Sequence, residues 1–381
     1  MKLTGVFVGS AIIGFNLLTS SEAFALSNSD TGALGNALDF NAFIFNDLTA
    51  TGGDTEGRLA VGGNVTFNGS YSVGECSSNS SVSQPCRVVT DTSGNPVSTP
   101  NNRVAGGSQF QSNGGRDDLV VGGNIISNAS GGTSFNLLAG NGQVGGSVTN
   151  VTISALQGNQ LFTNRGANNV GIDFAAQEQG LKDNSTRLSQ FAQTGNIVRD
   201  TSNFLTLSGD HQGLNVFNVT DDQWGGNKTR TIDVPDGSKV LINVSGEIVE
   251  LAGAFDFGAD DCQFTSPNSC EEPLDFSPNT LINYFEATQI DMTTFQHEGA
   301  FLAPLATFNV SGGAINGQAI LDTVIAEQGF EFHFRENNGT SFNQEAIPFD
   351  VNHSSALVAA GVFFGGLKLR KLRQQREKLE E

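Results

Sequence analysis

One Trp, two Tyr, two Met, four His and four Cys in 381 residues leave little of the usual raw material for chemistry. The four His lie far apart, at 211, 297, 333 and 353, and no C-x-x-C pair is present, so no zinc pattern is offered. P-loop, G-x-S-x-G, H-E-x-x-H and EF-hand signatures are also missing. Basic residues are scarce, 19 against 39 acidic, which gives a net charge of -20. A body this acidic repels phosphate backbones, and nucleic acid is thereby excluded as a partner. No uninterrupted run reaches the ~20 apolar residues that a bilayer-spanning helix needs.

What the chain has is glycine, 47 residues, well above the usual share of roughly 7%. No G-X-Y period accompanies it, so collagen is out, and 29 Phe in a chain that is 38% hydrophobic imply a buried core. The glycines come in a repeated string: RLAVGGNVTF from Arg58, LVVGGNIIS from Leu119 and GQVGGSVTN from Gly142. Valine runs read as short strands, and Gly-Gly followed by Asn64, Asn124 or Ser147 reads as a tight corner in which glycine supplies positive φ. The step from Gly122 to Gly145 has the length of one solenoid coil, and the longer step from Gly62 to Gly122 contains an inserted loop. Gly140, Gly142 and Gly145 satisfy G-x-G-x-x-G, but Val148, Val151 and Ile153 continue as strand, which favours a corner over a pyrophosphate cradle.

The ends read as targeting segments. Residues 1–25 form an expected signal peptide: Lys2, an apolar run from Leu3 to Leu18, and cleavage at Ala23-Phe24-Ala25. Residues 348–381 hold Pro348-Phe349-Asp350, a short apolar stretch and a basic cluster from Lys368 to Lys378, the order of a processed C-terminal signal with a transient membrane helix. These segments contain 5 of the acids and 7 of the bases, so residues 26–347 keep 34 acids and 12 bases.

Four Cys suit an oxidising compartment, and their placement in two local pairs makes Cys76 with Cys86 and Cys262 with Cys270 the expected bridges. Closing the second loop would gather Asp260, Asp261, Glu271 and Glu272, a set that calcium could neutralise; otherwise the four carboxylates splay into solvent. No other cofactor is expected. One helix interrupts the strands: Asp173 caps it, Phe174, Leu181 and Leu188 recur every seven residues with Phe191 and Ala192 extending the stripe, and Gly195 closes it. A single apolar stripe predicts that it lies along the outside of the sheets, and strands are expected again at Phe204, Leu214, Lys239 and from Ala300.

FNAFIFNDLTATGGDTEGRLAVGGNVTF from Phe40, the IDFAAQ helix, GLNVFNV, VLINVSG and GAFLAPLATFNVSGGAINGQAI together resemble the choice-of-anchor A domain, a bacterial exported surface module, over roughly Ala33 to Phe334. The resemblance implies a mainly β fold, a single-stranded right-handed β-solenoid (β-helix) with one lateral α-helix, similar to ice-binding-type adhesin folds, over residues 26–347. It brings no catalytic or ligand residues. The tail resembles a PEP-CTERM sorting signal of the Pro-Phe-Glu variant, with Asp350 in place of Glu, which implies an exosortase-type transpeptidase as partner.

Three functions follow from these readings. The first is a non-catalytic surface adhesive touching extracellular polysaccharide, envelope or other surface proteins. The second is a carbohydrate-active β-helix enzyme using acids such as Glu247 and Glu250. The third is an ice-binding-like adhesin, which needs a flat row of Thr or small residues that the irregular repeats do not display.

Overall fold

The computed structural model describes residues 35–74, 116–155, 159–256, 279–327 and 329–334, all within the compact unit Thr31–Glu381. Among them are 24 strands joined in one continuous sheet that winds into a solenoid. Pairing is parallel throughout, except where Asn196–Asp200 runs antiparallel to Phe204–Ser208.

Each coil turns past three faces. In the coils near the N-terminus of the described chain each face has its own short strand, whereas Ala300–Asn316 runs along all three as one strand and the helical turn Asp221–Trp224 stands between Leu214–Thr220 and Gly226–Asp233. In one coil Leu59–Val61 lies on face A, Val65–Phe67 on face B and Tyr71–Val73 on face C. The next coil repeats this with Asp117–Val121, Ile125–Ser127 and Thr133–Leu137, in direct register. Alternation does the sorting: Val65, Phe67, Tyr71 and Val73 point into the lumen and are buried, while Thr66 and Ser72 between them face outward. The lumen is filled by aliphatic and aromatic side chains. Phe67 stacks on Tyr71 at 4.9 Å and on Phe135 of the next coil at 5.2 Å.

The Gly-Gly corners are present, but not for the conformational reason inferred from sequence. Gly62, Gly63, Gly122, Gly123, Gly145 and Gly146 are all absent from the positive-φ residues. What they supply is close approach. A Cβ on Gly62 would lie 2.1 Å from Phe45 O, one on Gly122 would lie 2.1 Å from Gly62 O, and one on Gly145 would lie 2.0 Å from Gly122 O. The corners stack backbone on backbone, and no side chain fits between.

Coil order in space is not chain order. The coils of residues 42–155 form one stack and those of residues 204–333 another. They join where Ala42–Ile44 pairs with residues 319–321, Leu48–Ala50 with 324–326, and Gly53–Thr55 with 330–332. The described chain therefore starts at this seam, builds to one end, returns along a helix, restarts at the other end and finishes at the seam. Buried amides lock the junction: Asn41 Nδ2 donates to Gly317 O at 2.8 Å and to His333 O at 3.2 Å, and Gln318 Nε2 donates to Leu38 O at 2.7 Å and Phe40 O at 3.1 Å.

The returning helix, α1, spans Phe174–Ser189, with the Asp173 carboxylate accepting the Ala176 N–H at 3.1 Å. It lies against face A, whose outward residues Phe43, Ala60, Val120, Val216, Leu241, Leu281 and Ile320 join Leu181, Leu188 and Phe191 in a second core. Face A is thus buried on both sides, as parallel strands commonly are.

The sequence places the helix end at Gly195, yet α1 stops at Ser189 because its last carbonyls go to the sheet. Asn283, Asn243 and Asn218, one per coil and in register, donate to Ser185 O at 2.9 Å, Leu188 O at 2.9 Å and Phe191 O at 3.1 Å. The same asparagines also bond one another, Asn283 to Asn243 and Asn243 to Asn218, each at 2.9 Å. Three helical residues rise about 4.5 Å and neighbouring strands are about 4.8 Å apart, so a helix parallel to the solenoid axis keeps step with the ladder. Asn243→Ala would leave Leu188 O, Asn218 Oδ1 and Asn283 Nδ2 short of a partner, and is expected to lower stability by about 2 kcal/mol in chemical denaturation.

Candidate functional site

With face A covered, faces B and C are the surfaces open to a partner. Face C presents a polar row in which Gln296, Ala314, Glu331, Asp54, Ser72, Asn136 and Ser154 are register neighbours. Glu331 accepts from His333 Nε2 at 2.8 Å, and this hydrogen bond holds its carboxyl below the usual range.

Face B presents a different row. Register places Glu250, Asp291, Asn309, Ile325, Thr49, Thr66, Ile126 and Thr149 side by side across eight strands. The row divides at Ile325. On one side Asp291 is tied by Asn309 Nδ2 at 2.8 Å and Gln289 Nε2 at 2.7 Å. On the other, five successive residues are Ile or Thr, uncharged, branched at Cβ and held to few rotamers. Their separation is the strand spacing, about 4.8 Å. Beneath them Leu48, Ala50, Val65, Phe67 and Ile125 are fully buried, so the surface rests on a packed core.

The corner beside this row is fixed by a second ladder. Asp47 Oδ1 accepts the Asn64 N–H at 2.6 Å, Asn64 Oδ1 accepts the Asn124 N–H at 3.0 Å, and Asn124 Oδ1 accepts the Ser147 N–H at 2.8 Å. Asn64, Asn124 and Ser147 are the residues that follow each Gly-Gly in the repeat. Their work is to bond coil to coil at the margin of face B.

Polar groups inside the lumen form a closed network. Trp224 enters from α2, the single turn Asp221–Trp224, whose start is fixed by a Thr220–Gln223 capping box. Trp224 Nε1 donates to the Tyr284 hydroxyl at 2.9 Å, which meets His297 Nε2 at 3.1 Å. Since that hydroxyl accepts from Trp224 and donates onward, His297 Nε2 is the acceptor and Nδ1 carries the proton. Burial, with the nearby Arg230 cation, lowers the His297 pKa to about 3, and burial lowers Arg230 to about 10. Arg230 donates to the carbonyls of Trp224, Lys228, Ala252 and Gly226, and its guanidinium lies over the rings of Trp224 and Phe295. These side chains are fully buried and stabilise the coil rather than meet a ligand.

Of the acidic pairs in the sequence, Asp117-Asp118 has a clear role: Asp118 is fully buried between Arg116 and Arg58, and burial pushes its carboxyl up against the pull of both cations. Asp221-Asp222 opens α2. Glu247 and Glu250 are exposed at the margin of face B, where Glu250 is a register neighbour of Asp291.

Cys76, Cys86, Cys262, Cys270, the loop carboxylates Asp260, Asp261, Glu271 and Glu272, the cleavage residues Ala23 and Ala25, and Pro348-Phe349-Asp350 lie outside the described residues. Among the described residues no group of three or more His, Cys, Asp or Glu could hold a metal ion, and no helix is long and apolar enough to cross a membrane.

The face B row and the asparagine ladder were both missed in the sequence. For the ladder a signal existed, the strings FNV, INV and INY around Asn218, Asn243 and Asn283. For the row the signal was partial: Thr66, Ile126 and Thr149 hold the same place in the three Gly-Gly repeats, but Ile325 and Thr49 become neighbours only across the seam.

Among curated proteins none matches the chain. Solved structures that are similar include an ice-binding protein from the Antarctic ascomycete Antarctomyces psychrotrophicus, 9% identical, covering 78% of this chain and 95% of that one with a TM-score of 0.34. An ice binding protein from an Antarctic biological consortium is 10% identical, with coverage of 79% and 90% and a TM-score of 0.26. One from an Antarctic Flavobacteriaceae bacterium is 9% identical, with coverage of 80% and 98% and a TM-score of 0.25. A family model described as "Putative Ice-binding-like adhesive domain" matches residues 33–334, nearly the whole solenoid. The chain belongs to this ice-binding-like adhesive domain family.

Proposed function

We propose that this chain is an exported, non-catalytic surface adhesive that grips its target through the uncharged part of face B. The observation that carries the reading is the row Ile325, Thr49, Thr66, Ile126 and Thr149, stiff side chains in register on successive parallel strands. Such a row suits a target that is itself extended, neutral and regular in its hydroxyl groups. Ice and a neutral polysaccharide share that chemistry. A rigid site loses little side-chain entropy on binding, so many weak contacts can add up.

Family membership supports the adhesive role. Export by the N-terminal signal, and release by an exosortase-type enzyme at Pro348-Phe349-Asp350, complete the proposal. They rest on the sequence of the two ends and on the resemblance to choice-of-anchor A proteins with a PEP-CTERM-like tail. The alternative of a carbohydrate-active enzyme would rest on Glu250 and its neighbour Asp291, and both Asp291 oxygens are engaged by amides of adjacent residues.

The test compares the full chain with Thr49→Lys/Thr66→Lys and with Ser72→Lys on face C, by partition into growing ice and by pull-down on insoluble neutral glucan. The double substitution is expected to reduce binding at least about tenfold, because each lysine holds its water and stands proud of the row. The face C variant should bind as the parent does. Binding to neither solid, or equal binding by all three proteins, would remove face B from the account.

A further inference from the structure

The stack of residues 42–155 ends in a coil made by Val148–Thr149, Val151–Ala155 and Leu161–Phe162. Val151–Ala155 pairs along one side with Thr133–Leu137, and among the described residues no strand pairs its other side. The residues that close the lumen here, Val148, Val151, Ile153 and Leu161, pack on the core but are only partly buried. An open strand edge is a template for another strand, and proteins usually blunt it with charge, proline or a bulge. The sequence VTISA has none of these and is rich in residues that favour strands.

The charge distribution singles out the same end. From Leu119 to Ile172 the chain contains no Asp, Glu or Lys and a single Arg, Arg165, although the whole carries -20. Two copies approaching by any acidic surface repel. At this end they meet without bringing carboxylates together.

The opposite end of the solenoid has a different character. Asn196–Asp200 lies there as an antiparallel strand bearing Arg199 and Asp200, and the edge of Leu214–Thr220 is met by the Thr194 and Gly195 N–H groups, both donating to Val216 O. Head-to-tail stacking would set this charged strand against the uncharged Val151–Ala155, whereas an end-to-end pair brings together two uncharged strands. Coil-on-coil docking already occurs within the molecule, at the seam, between strands remote in sequence.

We propose that this end of the solenoid is a self-association surface. Two copies join across a two-fold axis by antiparallel pairing of Val151–Ala155 with itself, centred on Ile153, so that Thr152 of each copy lies opposite Ser154 of the other. An interface of this kind is self-complementary and stops at two. It also doubles the adhesive faces on each particle, which raises avidity without any new ligand contact.

Sedimentation equilibrium on the full chain tests this directly. The wild type is expected to form a dimer at tens of micromolar, a range common for modest interfaces. Thr152→Glu/Ser154→Glu, two exposed outward positions, sets like charges across the proposed pairing and should weaken self-association at least about tenfold. Circular dichroism of this variant should match the wild type, which separates lost pairing from lost folding. The control Thr293→Glu/Ser311→Glu, on exposed positions of the other stack, adds the same charge elsewhere and should still dimerise. A monomeric wild type, a dimer indifferent to the Val151–Ala155 charges, or equal weakening by the control would each overturn the proposal.

Discussion

Gly122→Ala is expected to destabilise the fold by about 3 kcal/mol, at the upper end of what overpacking usually costs. The backbone at Gly122 adopts a φ that any residue could take, so the loss does not come from conformation. It comes from stacking. The new methyl would sit 2.1 Å from Gly62 O and 3.0 Å from the Gly62 carbonyl carbon, and Gly62 is itself pinned under the same corner of the preceding coil. Nothing at the contact is the end of a flexible side chain, so relief requires two coils to part and the hydrogen bonds from Gly122 N to Val61 O and from Gly123 N to Gly63 O to stretch. Gly131→Ala is the matching control. It sits on an exposed turn with no atom near its would-be Cβ, and should change stability by less than about 0.5 kcal/mol. Urea denaturation in which Gly122→Ala stays within about 1 kcal/mol of the parent would refute the stacking argument.

Acid should weaken the molecule well before its surface carboxylates are protonated. His297 is neutral in the lumen with a pKa of about 3, against 6.5 when exposed in the unfolded chain. Between those values the unfolded state binds a proton that the folded state refuses, so stability falls as pH drops from 6.5 towards 3 and is unaffected by His297 above 6.5. At 1.36 kcal/mol per pKa unit, the full effect is about 5 kcal/mol. Glu331, whose carboxyl is held down by His333, adds to the loss when pH falls further. Denaturation midpoints at pH 7, 5 and 3.5 should decline steeply for the wild type. They should decline far less for His297→Gln, which keeps a polar group near the Tyr284 hydroxyl but cannot take up the proton. Parallel pH profiles for the two proteins would show that His297 is not the sensor.

What could be read in the sequence was whatever one segment decides for itself. The short strands at the valine runs of residues 59–61 and 119–121, the Asp173 cap of α1 and the face that α1 buries through Leu181 and Leu188 depend on neighbours within a turn or two, and all appear as expected. The corner glycines were recognised as corners, yet their cause lies in the coil below, which no local pattern reveals. The end of α1 was misplaced for a similar reason: its carbonyls are taken by asparagines from three strands farther along the chain. The face B row was legible only where the repeat carries it, at Thr66, Ile126 and Thr149, because its order in space differs from the chain's, running from Asn309 and Ile325 to Thr49, Thr66 and then Ile126.

The seam has a mechanical consequence. The last described strand, Phe330–His333, is flanked on one side by Gly53–Thr55 and on the other by residues 314–316, and Phe334 N is held by Glu56 Oε2 at 2.6 Å. Tension transmitted through the chain beyond Phe334 therefore reaches the body at its waist. A strand at the end of a stack could be peeled from a single neighbour, one hydrogen bond after another. This one must be torn from two neighbours together, with Asn41 and Gln318 clamping the layers above and below. Pull applied there is shared by both stacks at once and does not fall on the singly paired strand at either end of the solenoid.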